Sequence, residues 1–230
     1  YKGLLVFHGT GTGKTCTAIT IAERYKDYYQ NKSKRIIVLA SNIIEEGWRN
    51  NIYNPNRGTN QCTGDEYVNQ IDKNAKNLTL KRNKLINRYY DFNTYGAFKN
   101  NLTKVFTRYN EKYDKKIAKM KKIQYIQENY SDRLLIIDEV HNLTNAMAKT
   151  FPGIRAKGLK RLIMGAKNLK CVFLSGTPMI NSPYEAGQLF NLLRGYITKF
   201  TFMLQAKDGA SSWNTVAQVL KNDVKQIDQL

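Results

Sequence analysis

The stretch Gly3–Thr15, GLLVFHGTGTGKT, decides how the chain is read. Gly3–Phe7 is a continuous apolar run of strand length that stops abruptly at glycine and threonine, the mark of a strand buried in a parallel sheet. From Lys14 to about Gln30, Ala18, Ile21, Ala22, Tyr25, Tyr28 and Tyr29 recur at helical spacing, which predicts an amphipathic helix with that stripe inward. A glycine-rich turn between a strand and a helix lets successive backbone N–H groups converge on a phosphate, and the helix N-terminus adds positive potential. Gly9, Thr10, Gly11, Thr12 and Gly13 would form the cradle and Lys14 would reach the β- and γ-phosphates of ATP. The Thr15 hydroxyl would ligate Mg²⁺. His8 stands where a strict G-x-x-x-x-G-K-[ST] pattern has its first glycine, but the G-x-G-K-T core is complete.

Working outward, the next informative segment is Leu134–His141, LLIIDEVH. An apolar strand ending in Asp-Glu delivers one carboxylate to a metal shell, Asp138, and a second to activate water, Glu139, the division of labour that phosphoanhydride hydrolysis needs. A third apolar strand, Cys171–Leu174, runs into Ser175-Gly176-Thr177-Pro178, whose hydroxyls can bond toward the Asp-Glu-x-His segment. Further strands are predicted at Arg35–Ala40 and Tyr89–Thr94. A basic helix over 110–129 should turn Tyr113, Ile117, Met120, Ile123 and Ile126 inward. Ser182-Pro183-Tyr184-Glu185 reads as a capping box, with Gly195 as the helix stop. Beyond it, 197–204 alternates weakly and 213–230 reads as helical. Strands alternating with helices argue for an α/β fold with a mostly parallel central sheet flanked by helices.

The 230 residues carry 37 Lys+Arg against 18 Asp+Glu, a net charge of +19, which favours a polyanion partner over a merely soluble surface. Between Glu139 and Glu185 there is no carboxylate, so Lys157, Lys160 and Arg161 are candidate nucleic-acid contacts, with Lys81–Arg88 as the alternative track. No apolar run nears the ~18–20 residues of a membrane span, and no segment joins a basic face to a strong apolar one, so no membrane partner is expected. Three cysteines, Cys16, Cys62 and Cys171, without C-x-x-C spacing suggest buried thiols in a reducing, intracellular compartment. His8 and His141 are the only histidines and lack a ligand cluster, which argues against zinc; His8 fits a loop position near phosphate. Trp48 and Trp213 read as packing anchors.

Together these motifs resemble the first RecA-like lobe of a superfamily 2 helicase or translocase of the DExH type. G-T-G-K-T is similar to motif I, D-E-V-H to motif II and S-G-T-P to motif III. The resemblance implies coupling roles for His141, Ser175 and Thr177, which would link ATP state to nucleic-acid grip. Val38–Trp48 resembles motif Ia of the Swi/Snf-type branch and Asn93-Thr94-Tyr95 resembles motif Ib, implying phosphate contacts at Ser41 and Thr94. The stretches FHGTGTGKTCTAI and SGTPMINSPYEAGQLFNLLRG look most like the helicase-like transcription ATPases of poxviruses and other large cytoplasmic DNA viruses, the nucleoside triphosphate phosphohydrolase I and early-transcription-factor small-subunit group.

That resemblance implies a RecA-like P-loop NTPase lobe over 1–195 with a basic helical insertion at about 55–130, and an extension, 196–230, leading toward a second RecA-like lobe. It implies ATP and Mg²⁺ as cofactors, Glu139 as catalytic base with Lys14, and a nucleic-acid partner, double-stranded DNA before RNA. It further implies a role in viral transcription initiation or termination, a viral RNA polymerase or transcription-factor subunit as partner, and a location in the host cytoplasm and virion. The chain starts one turn before motif I without Met, as a fragment would, and alone it should hydrolyse ATP negligibly, since the arginine finger belongs to the second lobe. A structural DNA- and polymerase-binding subunit with incidental ATPase, or an RNA helicase, are the alternatives.

Overall fold

The computed structural model describes residues 2–9, 11–71, 76–143, 154–177 and 183–195, with the side chains of 154–156 excepted. Thr10, Pro178, Ser182, Trp213 and the expected elements at 197–204 and 213–230 lie outside the described residues. Five strands form one sheet: β1 (Gly3–Phe7), β2 (Ile36–Leu39), β3 (Tyr90–Asn93), β4 (Leu134–Ile137) and β5 (Lys170–Ser175). They lie in the order β1-β5-β4-β2-β3, and every pairing is parallel. The expected α/β architecture with a parallel sheet is therefore the observed one, but Gly3–Phe7, expected to be a buried strand, is an edge strand: it pairs with β5 alone, and Leu4 and Phe7 are exposed.

Period-two alternation sorts the strand side chains between two cores. Ile36, Val38, Leu134, Ile136, Val172 and Leu174 face one side, while Ile37, Leu39, Leu135, Ile137, Cys171 and Phe173 face the other. The first face is covered by α1 (Lys14–Asn31), α2 (Asn42–Ile52) and α3 (Leu78–Ile86) together with the segment around Tyr53 and Tyr67. The second is covered by α4 (Tyr95–Lys112), α5 (Lys115–Tyr130), α6 (Ile154–Gly165) and α7 (Pro183–Arg194). Residues 76–130, inside the expected insertion, thus supply the edge strand β3 and three of the flanking helices. Segment 53–71 is anchored to α1 by a buried polar cluster: Tyr67 and Tyr90 donate to Glu23, and Lys26 pairs with Glu23 at 2.8 Å and Glu66 at 2.6 Å.

Three expectations about helices and cysteines are corrected. In α1 the buried face is Ala18, Ile19, Ala22, Lys26 and Tyr29, and Tyr25 and Tyr28 are exposed. Their rings instead pack against Tyr29 from the outside, and the Tyr28 hydroxyl accepts from Lys32 Nζ at 2.8 Å. The single helix over 110–129 is two: Tyr113 is extended, and the Asp114 carboxylate caps α5 by accepting from the N–H groups of Lys116 and Ile117. The helix then buries Ala118, Lys122, Ile126 and Tyr130, so Ile117, Met120 and Ile123 are exposed. Cys16 and Cys62 are joined in a disulfide across 46 residues, which ties the first turn of α1 to segment 53–71. Spacing gave no sign of it, because the pairing depends on where that segment folds back. Cys171 is the buried free thiol expected. Pro183 opens α7 and Gly195, at φ 85°, closes it as read.

Candidate active site

In a parallel sheet all strand C-termini share one edge, and the loops that leave them carry function. The residues following β1, β4 and β5 meet there. The loop after β1 turns through Gly11 at φ 78° and Gly13 at φ 89°, angles that strain any L side chain; a Cβ at either would meet nothing, so the backbone angle is what requires glycine. Gly13 caps α1, and the first turn of α1 holds no carboxylate, leaving its positive potential uncompensated. Lys14 Nζ donates to the carbonyls of His8 and Gly9, each at 3.1 Å, so the ammonium closes over its own loop. Thr12 Oγ1 also donates to the Gly9 carbonyl, at 2.8 Å. Thr15 follows, half-buried at the helix start. His8 Nδ1 is buried and makes no hydrogen bond.

Two strands away, about 10 Å by strand spacing with β5 between, β4 ends in Asp138 and Glu139. Asp138 is 5% exposed. Its Oδ1 accepts from the Glu139 N–H at 3.0 Å and its Oδ2 from Trp48 Nε1 at 2.9 Å, while its own N–H continues the ladder to Leu39. Glu139 has φ 48°, the left-handed region that non-glycine residues occupy at an energetic cost and that concentrates at functional sites. The turn lifts its carboxylate out of the sheet to a position 3.2 Å from His141 Nδ1. His141 Nδ1 also lies 3.4 Å from Ser175 Oγ, which accepts the Thr177 N–H at 3.0 Å. Glu139, His141, Ser175 and Thr177 are therefore one connected set, across β4 and β5.

Sequence reading missed two members of this site. Trp48 is fully buried in the α2 side of the core, as a packing residue should be, but its indole N–H holds the Asp138 carboxylate. Tyr95 donates its hydroxyl to the Asp138 carbonyl at 3.2 Å; burial, with the Asp138 and Glu139 charges beside it, pushes that phenol well above its ordinary pKa, so it stays a neutral donor. Both lie more than 40 residues from Asp138 in the chain, beyond any local pattern. Of the nucleic-acid candidates, Ser41 and Thr94 lie at the same sheet edge, as the N-caps of α2 and α4. The Thr94 hydroxyl accepts from the Ala97 N–H, so it is already engaged as a cap. Lys157, Lys160 and Arg161 are exposed on the outer side of α6, the Arg161 guanidinium 6.0 Å from the Phe106 ring.

The donor set suits a magnesium nucleotide. Magnesium keeps several waters and takes few protein ligands, so one hydroxyl and one fixed carboxylate suffice, and among the described residues no larger metal-binding cluster exists. An all-parallel sheet with a phosphate-type loop after one strand and an Asp-Glu pair two strands away defines a RecA-like nucleotide-binding lobe. Residues 1–180 match the family model of the type III restriction enzyme res subunit, and the chain belongs to this helicase-like family. It is 32% identical over 201 residues to "Putative helicase 087L" of Invertebrate iridescent virus 3, covering 84% of this chain and 18% of that protein. It is 32% identical over 225 residues to "Putative ATP-dependent RNA helicase L377" of Acanthamoeba polyphaga mimivirus, covering 84% and 17%. A shorter match, 42% identical over 65 residues, covers 28% of this chain and 9% of the "Termination factor NPH-I homolog" of African swine fever virus. The chain thus spans less than a fifth of the first two relatives' length. Among the described residues no helix is long and apolar enough to cross a membrane.

Proposed function

We propose that the chain is the ATP-binding lobe, residues 1–195, of a nucleic-acid-dependent ATPase that moves on duplex DNA during viral transcription, at initiation or termination. The observation that carries this is the Asp138–Glu139 turn: a carboxylate pinned by Trp48 beside one lifted out at positive φ, on the sheet edge where the glycine loop opens. Thr15 and Asp138 would hold Mg²⁺, which when bound neutralises phosphate charge. Gly9, Gly11, Thr12 and Gly13 present backbone N–H groups to the phosphates, and Lys14 exchanges its loop carbonyls for phosphate oxygens. Glu139 takes the proton of the attacking water, and His141, Ser175 and Thr177 relay the state of that site along β5. Net charge and the relatives' names support nucleic acid as partner; the short match to a termination factor supports transcription, with a polymerase or factor subunit as a second partner in the viral factory. A second RecA-like lobe supplies the arginine finger, so the 230-residue chain alone binds Mg-ATP weakly and hydrolyses it negligibly.

The test is a steady-state ATPase assay on the full-length protein with duplex DNA, duplex RNA and neither. DNA-stimulated turnover that Glu139→Gln eliminates while Mg-ATP binding persists supports the reading. RNA stimulation alone would convert it to an RNA helicase, and turnover indifferent to Glu139→Gln would refute the site.

A further inference from the structure

Away from the nucleotide loop, an open cleft of about 520 Å³ runs between α4, α5 and the open edge of the sheet. Arg133 lines it, and its Nε is buried yet makes no hydrogen bond; Asp91 attracts the guanidinium electrostatically across the cleft. Leaving a buried donor of a charged group unsatisfied costs more than leaving a neutral one so, and the bare Nε therefore demands an explanation. Lys104 and Arg108, four apart on one side of α4 and both exposed, border the same cleft and have no acceptor among the described residues. Lys34 is the fourth cation, occupied at the Glu128 carbonyl. Two carboxylates also border the space. Asp91 lies 3.8 Å from Arg35, and Glu128 accepts from the Gln124 amide. Three cations, one with an unpartnered buried Nε, therefore converge on a concave wall in a protein already far from charge balance.

The remaining wall decides the kind of anion. Tyr125, half-buried, stands edge-on to Tyr109 and Tyr130, a fixed ring of the kind on which bases stack, and Asn101 adds an exposed amide. The volume falls within the roughly 300–1,000 Å³ of small-ligand pockets, room for one or two nucleotides and not for a duplex. The cleft reaches from Asn93, next to Thr94 at the nucleotide-site edge, to Lys34 and Arg133, which precede β2 and β4 at the opposite edge of the sheet. We infer that this cleft grips a single-stranded nucleic-acid segment continuous with the duplex that the lobe tracks, its phosphates on Lys104, Arg108 and Arg133 and a base against Tyr125. The inference rests on the nucleic-acid reading above and adds a second contact to it, distinct from Ser41, Thr94 and α6.

The test compares a blunt DNA duplex with the same duplex bearing a single-stranded tail, by fluorescence anisotropy on the 230-residue chain over a salt series. The tail should tighten binding and steepen the log K against log salt slope by about 2, from three cations at ~0.7 per phosphate. Lys104→Glu with Arg108→Glu should remove most of that increment without changing blunt-duplex affinity or the thermal shift by Mg-ATP. Arg133→Met should lower the increment without lowering the melting temperature, which a structurally paired arginine would not allow. Equal loss for blunt and tailed DNA, or no loss for either, would overturn the cleft and leave the function reading standing. Failure of the parent chain to bind any duplex would instead overturn the function reading itself.

Discussion

Trp48→Phe separates packing from positioning at the catalytic edge. The substitution keeps an aromatic ring in the core beside Phe92, whose centroid is 6.5 Å from that of the indole, and deletes the N–H that Asp138 Oδ2 accepts. A hydrogen bond to an ionised group contributes ~1.5–3 kcal/mol, and Asp138 is too buried for water to replace it freely. Asp138 retains only the Glu139 N–H on its other oxygen, so its carboxylate gains rotational freedom. Residues that orient a metal ligand through a hydrogen bond typically cost 10–100-fold in metal affinity when lost, which agrees with ~1.5–3 kcal/mol at 1.4 kcal/mol per decade. We expect the Mg²⁺ concentration for half-maximal ATP binding to rise 10- to 100-fold by that arithmetic. The assay is a magnesium titration of a fluorescent ATP analogue, with a thermal melt in parallel. Phe92→Leu is the control: it loosens the same packing while leaving the indole bond, so it should lower the melt without moving the magnesium midpoint. If Trp48→Phe lowers the melt and leaves the midpoint within twofold, Trp48 is a packing anchor and nothing more.

Lys14→Ala should abolish the thermal stabilisation that Mg-ATP confers and leave the apo melt unchanged, since among the described residues Lys14 bonds only its own loop carbonyls. A mutant stabilised as much as the parent would refute the phosphate assignment. Reduction, or Cys62→Ser, should lower stability by ~2–4 kcal/mol, because the disulfide closes a 46-residue separation and restrains the unfolded chain. Denaturant curves with and without reductant check this, and coincident curves would restore the free-thiol reading. Charge reversal of Lys157, Lys160 and Arg161 should flatten the salt dependence of duplex binding if the outer side of α6 carries the track. An unchanged slope moves it elsewhere.

Much of this lobe was legible in the chain because its signals are local. A strand buried on both faces must be apolar throughout, so Leu134–Ile137 and Cys171–Leu174 declared themselves; the equally apolar Gly3–Phe7 is a strand too, but its place at the sheet edge leaves Leu4 and Phe7 exposed. A backbone forced to positive φ left its record in Gly11 and Gly13. Asp138 and Glu139 were readable since a carboxylate pair directly after such a strand has few other uses. Periodicity located helices but not their rotation. Tyr25, Tyr28, Ile117 and Met120 sit on apolar stripes that no neighbour covers, because the face a helix buries is set by what packs against it. Strand order, the Cys16–Cys62 closure and the convergence of Lys104, Arg108 and Arg133 were likewise decided only by the tertiary fold. So was the bond from Trp48 to Asp138: an indole N–H and a carboxylate 90 residues apart carry no mutual signature until β2 and β4 pair and α2 packs beside the end of β4.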